Sequence, residues 1–187
     1  MITKKLKKII FIESLNEKIK KNIKKIHNAI IIIDDKNYYG DSLDKYYEIV
    51  SFCKSNKIPF FIKDNHNIAN KLKANGLYIS SKNTRIKLTP FIKKKFKIIG
   101  SAHNQYEYYI KKMQGCNIIS LSPLFYNSKY SNNKILNPLK FNLIKKNWNT
   151  DVCALGGINS KNIKKINLLN LKFISFSGYI KGPITFQ

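Results

Sequence analysis

The hydrophobic and polar positions along this chain alternate between two kinds of segment. Short apolar runs rich in β-branched and aromatic residues predict buried strands, because such runs are bounded by polar turn residues. Longer segments in which apolar residues recur every three or four positions predict amphipathic helices. Eight strands are predicted: Ile9–Ile12, Ala29–Ile33, Phe60–Lys63, Gly76–Ile79, Lys97–Gly100, Asn117–Leu121, Val152–Leu155 and Phe173–Phe176.

Helical segments are predicted in nearly every gap between those strands. They are Asn16–Ile26, Leu43–Ser55, Asn67–Ala74, Pro90–Lys95, Gln105–Met113, Pro138–Lys146 and Asn159–Leu169. This α/β alternation predicts a single (β/α)8 barrel, a TIM barrel, formed by one domain over residues 1–187. Only residues 181–187 follow Ile180, so the last helix is predicted to be shortened or missing. Without that helix an apolar flank between the first and last strands would be exposed. We expect a homodimer in which a second subunit covers this flank.

The chain is strongly basic, with 35 Lys and Arg against 10 Asp and Glu and a formal net charge of +25. Such a charge ordinarily indicates a nucleic-acid or acidic-membrane partner. However, Arg85 is the single arginine, and the lysines are spread over nearly every predicted helix. Proteins that bind nucleic acid favour arginine and concentrate charge on one surface. We therefore interpret the lysines as solvated helix faces and expect no nucleic-acid partner.

The cysteines and the apolar segments bear on location. Cys53, Cys116 and Cys153 lie far apart and each in an apolar run, which gives neither a disulfide framework nor a zinc-site spacing. No apolar stretch approaches the length of a membrane span, and Met1–Ile12 lacks the apolar core and cleavage site of a secretory signal. We expect a soluble protein of the reducing cytoplasm with no membrane partner.

A candidate phosphate site follows the last two predicted strands. Gly156 and Gly157 end the seventh strand, and glycine lets backbone N–H groups approach an anion without a Cβ in the way. Asn159 is predicted to be the N-cap of the next helix, whose positive end would face the same place. A barrel binds phosphate at this position, although a tight turn in any α/β protein would look the same. The longest loop, Ser122–Asn137, follows the sixth strand and is predicted on the same face.

Motifs at successive strand ends resemble the thiamine-phosphate synthase/TenI family. They occur in the family's order over about Ile31 to Ile180, and no single one is strongly specific. The segments are Lys63–Asn65, Asn75–Ile79, Gly100–His103, Ser122–Phe125, Ala154–Ile158 and Phe176–Gly178. The resemblance implies a TIM barrel that joins hydroxymethylpyrimidine diphosphate to thiazole phosphate, giving thiamine phosphate and pyrophosphate. It also implies Mg²⁺, which with lysines and backbone amides would neutralise the leaving diphosphate.

The resemblance assigns roles to individual residues. Asp64 and Asn83 correspond to the metal-binding positions, although Asp64 could instead be an N-cap or turn carboxylate ahead of the helix at Asn67. Three residues correspond to catalytic contacts with the diphosphate: Ser101, Lys36 and Lys129. Four residues correspond to contacts with the substrate phosphate: Gly156, Gly157, Ser177 and Gly178.

The chain departs from the family at several of these positions. The family's diphosphate arginine falls on Asp34, the glutamine before it on Ile32, and the second metal carboxylate on Asn83. We therefore expect a weakened Mg²⁺ site, because Mg²⁺ is usually anchored by carboxylates together with substrate phosphates.

These departures leave three functions open: a divergent synthase, a TenI-like thiazole tautomerase, or a non-catalytic regulator that binds thiazole or thiamine phosphate. The synthase is the main hypothesis. The histidine that a tautomerase would use falls on Pro123, which counts against that function. His103 is a substitute acid or base if it is not a helix-capping residue.

Overall fold

The computed structural model describes residues 6–34, 43–85, 90–127, 131 and 134–177. Eight parallel strands form a closed barrel in chain order, and the last strand pairs with the first. The strands are β1 (Lys7–Ile12), β2 (Ala29–Ile33), β3 (Phe60–Lys63), β4 (Gly76–Ile79), β5 (Lys97–Ala102), β6 (Ile118–Leu121), β7 (Asp151–Leu155) and β8 (Phe173–Ser177). The predicted (β/α)8 fold is therefore confirmed, with every strand within two residues of its predicted ends.

Helices occupy the gaps between the strands. They are α1 (Glu17–Lys24), α2 (Asp44–Ser55), α3 (His66–Lys71), α4 (Pro90–Lys95), α5 (Gln105–Met113) and α6 (Asn137–Lys146). Three of them begin after an asparagine whose side chain accepts a backbone N–H of the first turn: Asn16, Asn65 and Asn104. This capping satisfies one of the N–H groups that a helix start leaves without a partner.

The seventh predicted helix differs from the prediction. It is a 3₁₀ helix over Ile163–Leu169, and Asn162 rather than Asn159 is the residue that precedes it. Its buried residues Ile163, Ile166 and Leu169 are spaced three apart. A 3₁₀ helix has three residues per turn, so this spacing places all three on one line, whereas an α-helix would spread them over about 120°.

The strands separate two hydrophobic clusters. One lies between the barrel and its helices, and a smaller one fills the barrel interior. The buried residues of the interior cluster come from seven of the eight strands: Ile9, Ile30, Ile32, Phe61, Tyr78, Ile99, Cys153 and Phe173. From β6, the partly buried Ile118 packs against them. Lys63 and Ser101 occupy the next inward positions of β3 and β5, so both lie near the carboxyl end of the interior.

Some predictions fall outside the part of the chain that the structure describes. These are the shortened last helix after Ile180 and the site residues Lys36, Lys129 and Gly178. Among the described residues, no helix is long and apolar enough to cross a membrane.

Candidate active site at the carboxyl ends of the strands

Asp64 follows β3 and is held in a left-handed backbone conformation, with φ of 53°. Its Oδ1 atom accepts hydrogen bonds from the backbone N–H of Ser80 at 2.9 Å and from Nδ2 of Asn83 at 3.1 Å. The N-cap of α3 is the neighbouring Asn65, whose Oδ1 accepts the N–H of Ile68 at 3.0 Å. Asp64 is therefore not the N-cap of this helix, which was one of the alternatives for it from the sequence. Its carboxylate instead reaches across to the loop after β4.

The structure brings the two predicted metal residues together, but it gives them different capacities. None of the described residues donates a hydrogen bond to Oδ2 of Asp64, so this oxygen is accessible to a cation. Asn83 presents its NH₂ group to Asp64, while its Oδ1 accepts the N–H of Arg85 at 3.3 Å. Asn83 would have to turn its amide over to bind an ion through oxygen. Within the described residues no cluster of three His, Cys, Asp or Glu forms a ready metal site.

A buried polar pair on α5 fixes the loop that carries Asn83. Nζ of Lys111 donates to the Asn83 carbonyl at 2.7 Å and to Oε1 of Gln114 at 2.9 Å. Nε2 of Gln114 donates to the carbonyls of Asn83 and Arg85, both at 2.9 Å. Both side chains are fully buried. Burial lowers the pKa of Lys111, since desolvation disfavours its charged form.

Lys111 and Gln114 are not among the site residues predicted from the sequence. The signal was present in the spacing, because Lys111 lies three residues after the buried Tyr108 on the face of α5 that packs on the barrel. Gly100 on β5 makes room for the lysine stem, since a Cβ there would lie 3.0 Å from Cδ of Lys111. The loop after β4 is thus anchored by its carbonyls, which holds the Asn83 amide against Asp64.

Asp34 and Lys63 form an ion pair between the ends of β2 and β3. The Lys63 Nζ atom lies 2.6 Å from Oδ1 of Asp34, and the two side chains are 27% and 16% exposed. The pairing register brings these ends side by side, because Ile33 is the partner of Ile62. The acidic residue at position 34 is therefore neutralised by a lysine from the next strand.

Ser101 differs from its predicted placement. It lies within β5 rather than in the loop after it, and it is 5% exposed. Its hydroxyl hydrogen-bonds the buried Tyr78 side chain, whose ring packs edge-on against Phe11 with centroids 4.9 Å apart. Burial raises the pKa of Tyr78 well above its ordinary value, and the nearby carboxylates of Asp34 and Asp64 add to the rise. Tyr78 therefore remains a neutral hydroxyl in the barrel interior, beneath the strand ends that carry the site.

Gly156 and Gly157 both have positive φ, 96° and 69°. A Cβ at Gly157 would lie 2.4 Å from the carbonyl oxygen of Phe125 and 2.5 Å from that of Tyr126. This glycine is therefore required by close packing on the loop after β6. Two bonds between the loops support this packing: Leu124 N–H to Leu155 O at 2.9 Å and Phe125 N–H to Gly156 O at 3.0 Å.

The turn after Gly157 is closed by asparagine side chains. Nδ2 of Asn162 donates to the Gly157 carbonyl at 2.7 Å, and Oδ1 of Asn159 accepts the N–H of Lys161 at 2.9 Å. No described residue accepts a hydrogen bond from the N–H of Gly157 or Ile158. These two amides lie at the carboxyl end of β7, next to β8, which ends at Ser177, and they can bind an anion.

His103 follows β5 and is bound to Glu107 of α5. Both its backbone N–H and its Nδ1 lie 2.8 Å from Oε2 of Glu107. The backbone N–H of Glu107 in turn donates to Oδ1 of Asn104, the N-cap of α5, at 2.9 Å. This is a helix-capping arrangement, the alternative that the sequence had left open for His103.

A cavity of about 1000 Å³ opens at the opposite, amino-terminal end of the barrel. Its lining includes Lys7, Lys97, Asn75 and Asn117 from the strand starts. The two asparagine side chains accept backbone N–H groups of Phe60 and Ile98, so they serve the fold. Parallel α/β barrels place their reactive groups at the carboxyl ends, where the residues described above converge.

The comparisons with known proteins agree with this geometry. Residues 2–180 match the family model described as thiamine monophosphate synthase. A thiamine-phosphate synthase of Prochlorococcus marinus is 34% identical over 136 residues, which cover 72% of this chain and 39% of that protein. One from Fusobacterium nucleatum is 26% identical over 172 residues, covering 91% of this chain and 82% of that protein.

A solved structure shares the fold. Thiamine phosphate pyrophosphorylase from Pyrococcus furiosus matches with a TM-score of 0.71 at 15% identity, over 96% of this chain and 91% of that one. The chain spans about two-fifths of the length of the Prochlorococcus relative. The family match extends over nearly the whole chain and includes every site residue discussed above. The chain belongs to the thiamine monophosphate synthase family.

Proposed function

We propose that this chain is a thiamine-phosphate synthase, which joins hydroxymethylpyrimidine diphosphate to thiazole phosphate and releases pyrophosphate. The observation that carries the proposal is the placement of Asp64. Its carboxylate does not cap α3 but lies over the carboxyl end of the barrel, and the described residues of the loop after β4 bond to its Oδ1. A carboxylate placed in this way suits a substrate that brings its own diphosphate and a divalent cation.

The proposed reaction requires no covalent nucleophile. The bond between the pyrimidine methylene carbon and the diphosphate oxygen breaks, its electron pair leaves with the diphosphate, and the thiazole nitrogen forms the new bond to that carbon. Bound Mg²⁺ would supply neutralisation of the charge that develops on the leaving diphosphate. The protein's part is to hold both substrates in line and to present donors to their phosphates.

We assign the chain's residues to these tasks as follows. Asp64 anchors the ion, and Asn83 supports Asp64 by its hydrogen bond; because Asn83 is neutral, the Mg²⁺ site is weaker than one with two carboxylates. Ser101 contributes a hydroxyl beside the diphosphate. The amides of Gly157 and Ile158 bind the thiazole phosphate. The remaining predicted contacts are Lys36, Lys129, Gly156, Ser177 and Gly178.

The wider setting of the enzyme is part of the proposal. We propose that residues 1–187 act as one barrel domain on small phosphorylated substrates, without a nucleic-acid partner, and as a homodimer. A cytoplasmic location agrees with three cysteines that are free and buried. Light scattering at micromolar concentration tests the dimer, and a monomeric mass would contradict it.

The test of function is formation of thiamine phosphate by the purified chain from both substrates with Mg²⁺, beside a control with thiazole phosphate alone. We expect product only with both substrates. Isomerisation of thiazole phosphate alone would instead support the tautomerase, and binding without turnover would support the regulator. Because His103 caps α5 and position 123 is a proline, neither of the two positions considered for a tautomerase supports an acid or base role.

A further inference from the structure

The ion pair of Asp34 and Lys63 lies on the inner side of the barrel mouth. Phe61 of β3 packs in the barrel interior, so Lys63, two residues later, points to the same side. Ile32 of β2 is likewise interior, and Asp34 follows it by two residues. Both carboxylates of the region, Asp34 and Asp64, help to raise the pKa of the interior Tyr78, so both act electrostatically on the same buried side chain.

The Lys63 ammonium has donor capacity beyond its partner. A lysine ammonium carries three N–H donors, and Asp34 is the one described residue that accepts from it. The group is partly shielded from water, since the lysine side chain is 27% exposed. Shielding strengthens its attraction for an anion compared with a lysine on the open surface.

Negative charges accumulate at this end of the barrel, and a cationic side chain there would stabilise a bound diphosphate. Asp34 and Asp64 bring two negative charges to a place where the proposed substrate brings a diphosphate. Lys63 lies between them in the chain, directly before Asp64, and its ammonium is fixed by Asp34 at 2.6 Å. A lysine held in this way costs less ordering when it binds phosphate than a lysine with a loose side chain.

We propose that Lys63 binds the diphosphate of the substrate and the released pyrophosphate, and that Asp34 positions its ammonium. The inference rests on the proposed function. The breaking carbon–oxygen bond leaves its electron pair on the diphosphate, and the Lys63 ammonium offsets that charge without transferring a proton. The acidic residue at position 34 then serves the diphosphate site through its partner rather than opposing it directly.

The test measures the dissociation constant of inorganic pyrophosphate with Mg²⁺ by calorimetry. Lys63→Met is expected to weaken binding about 10- to 100-fold, the value of one or two hydrogen bonds to a charged group. Lys63→Arg keeps the charge and should stay within a few-fold of the wild type. The control is Lys172→Met, which breaks a 2.9 Å ion pair with Asp151 at the opposite end of the barrel and should change nothing.

The double variant Asp34→Asn with Lys63→Met tests whether the Asp34 charge acts on pyrophosphate through Lys63. Lys63→Met alone leaves the Asp34 carboxylate uncompensated and repelling pyrophosphate, so the double variant should bind pyrophosphate more tightly than the single variant but less tightly than the wild type. Thermal unfolding confirms that each variant is folded. An equal affinity for Lys63→Met and the wild type would overturn the inference.

Pyrophosphate binding and thiamine phosphate formation together distinguish a failure of the role of Lys63 from a failure of the synthase function. Thiamine phosphate formation with a Lys63→Met variant that still binds pyrophosphate normally keeps the function and rejects Lys63. Pyrophosphate binding that depends on Lys63 without any thiamine phosphate formation keeps the diphosphate site and rejects the synthase. A wild-type chain that binds no pyrophosphate rejects both.

Discussion

Replacing Asp64 separates its predicted metal role from its role in the fold. Asp64→Asn keeps an oxygen that can accept the N–H of Ser80, and asparagine tolerates the left-handed backbone at φ of 53°. Asp64→Ala loses both hydrogen bonds of Oδ1 and places an alanine in a conformation that costs about 1–2 kcal/mol. Each lost bond adds about 0.5–1.5 kcal/mol, with the lower end suited to this exposed carboxylate.

These terms sum to a loss of about 2–3 kcal/mol for Asp64→Ala and less than about 1 kcal/mol for Asp64→Asn. In a chain of 187 residues the alanine variant should therefore melt roughly 5–10 °C below the wild type. The loss of activity in the two variants should not follow their loss of stability. Both variants lack the carboxylate charge, and residues that merely support a metal ligand already change metal affinity about 10- to 100-fold, so we expect a Mg²⁺ requirement raised by roughly 100-fold in each.

The assay is Mg²⁺ titration of thiamine phosphate formation, with thermal unfolding followed by circular dichroism. An Asp64→Asn variant with the Mg²⁺ dependence of the wild type would refute the metal role. An Asp64→Ala variant as stable as Asp64→Asn would refute the account of the loop after β4.

Two further predictions concern the frame of the site. Gly157→Ala should lower the free energy of unfolding by about 2–4 kcal/mol, because its Cβ would meet the Phe125 carbonyl at 2.4 Å in a left-handed conformation. Gly115→Ala is the control, since its φ is also positive but the atoms nearest its Cβ would belong to the flexible Lys93 side chain, at 3.2 Å or more. Equal losses of stability in urea unfolding would contradict the packing argument. Burial raises the pKa of all three cysteine thiols to about 12, so they should not react with a disulfide reagent at pH 8 until the protein unfolds. The thiols favour the folded state fully below about pH 9, and this contribution is lost as the pH rises towards 12; rapid labelling of the native protein would contradict the burial.

The barrel could be predicted from the sequence because its strands are short apolar runs that end at polar or small residues. Ala29–Ile33 is buried at every position, as a strand covered on both faces must be. The prediction of an α-helix near Ile163–Leu169 was wrong, because the segment forms a 3₁₀ helix. A short apolar repeat does not distinguish the three-residue spacing of a 3₁₀ helix from the three- to four-residue spacing of an α-helix.

The sequence predicts which strand ends carry the site residues, but it does not predict which side chains contact each other. Sequence reasoning placed Asp64 and Asn83 in neighbouring loops, but only the structure shows that they touch. The sequence shows Asp34 only as an acidic residue in place of the family's arginine, because its partner Lys63 lies 29 positions away and is brought beside it by the sheet register. Lys111 is one of 35 basic residues, and its spacing from Tyr108 became informative only once the structure showed that both side chains are buried.

The central claim is that this chain makes thiamine phosphate. The most direct measurement is the time course of thiamine phosphate and pyrophosphate produced by the wild-type chain from hydroxymethylpyrimidine diphosphate and thiazole phosphate in the presence of Mg²⁺. The account predicts that the two products appear in equal amounts and that a chelator stops both. Absence of both products from a folded chain that binds the two substrates would contradict it.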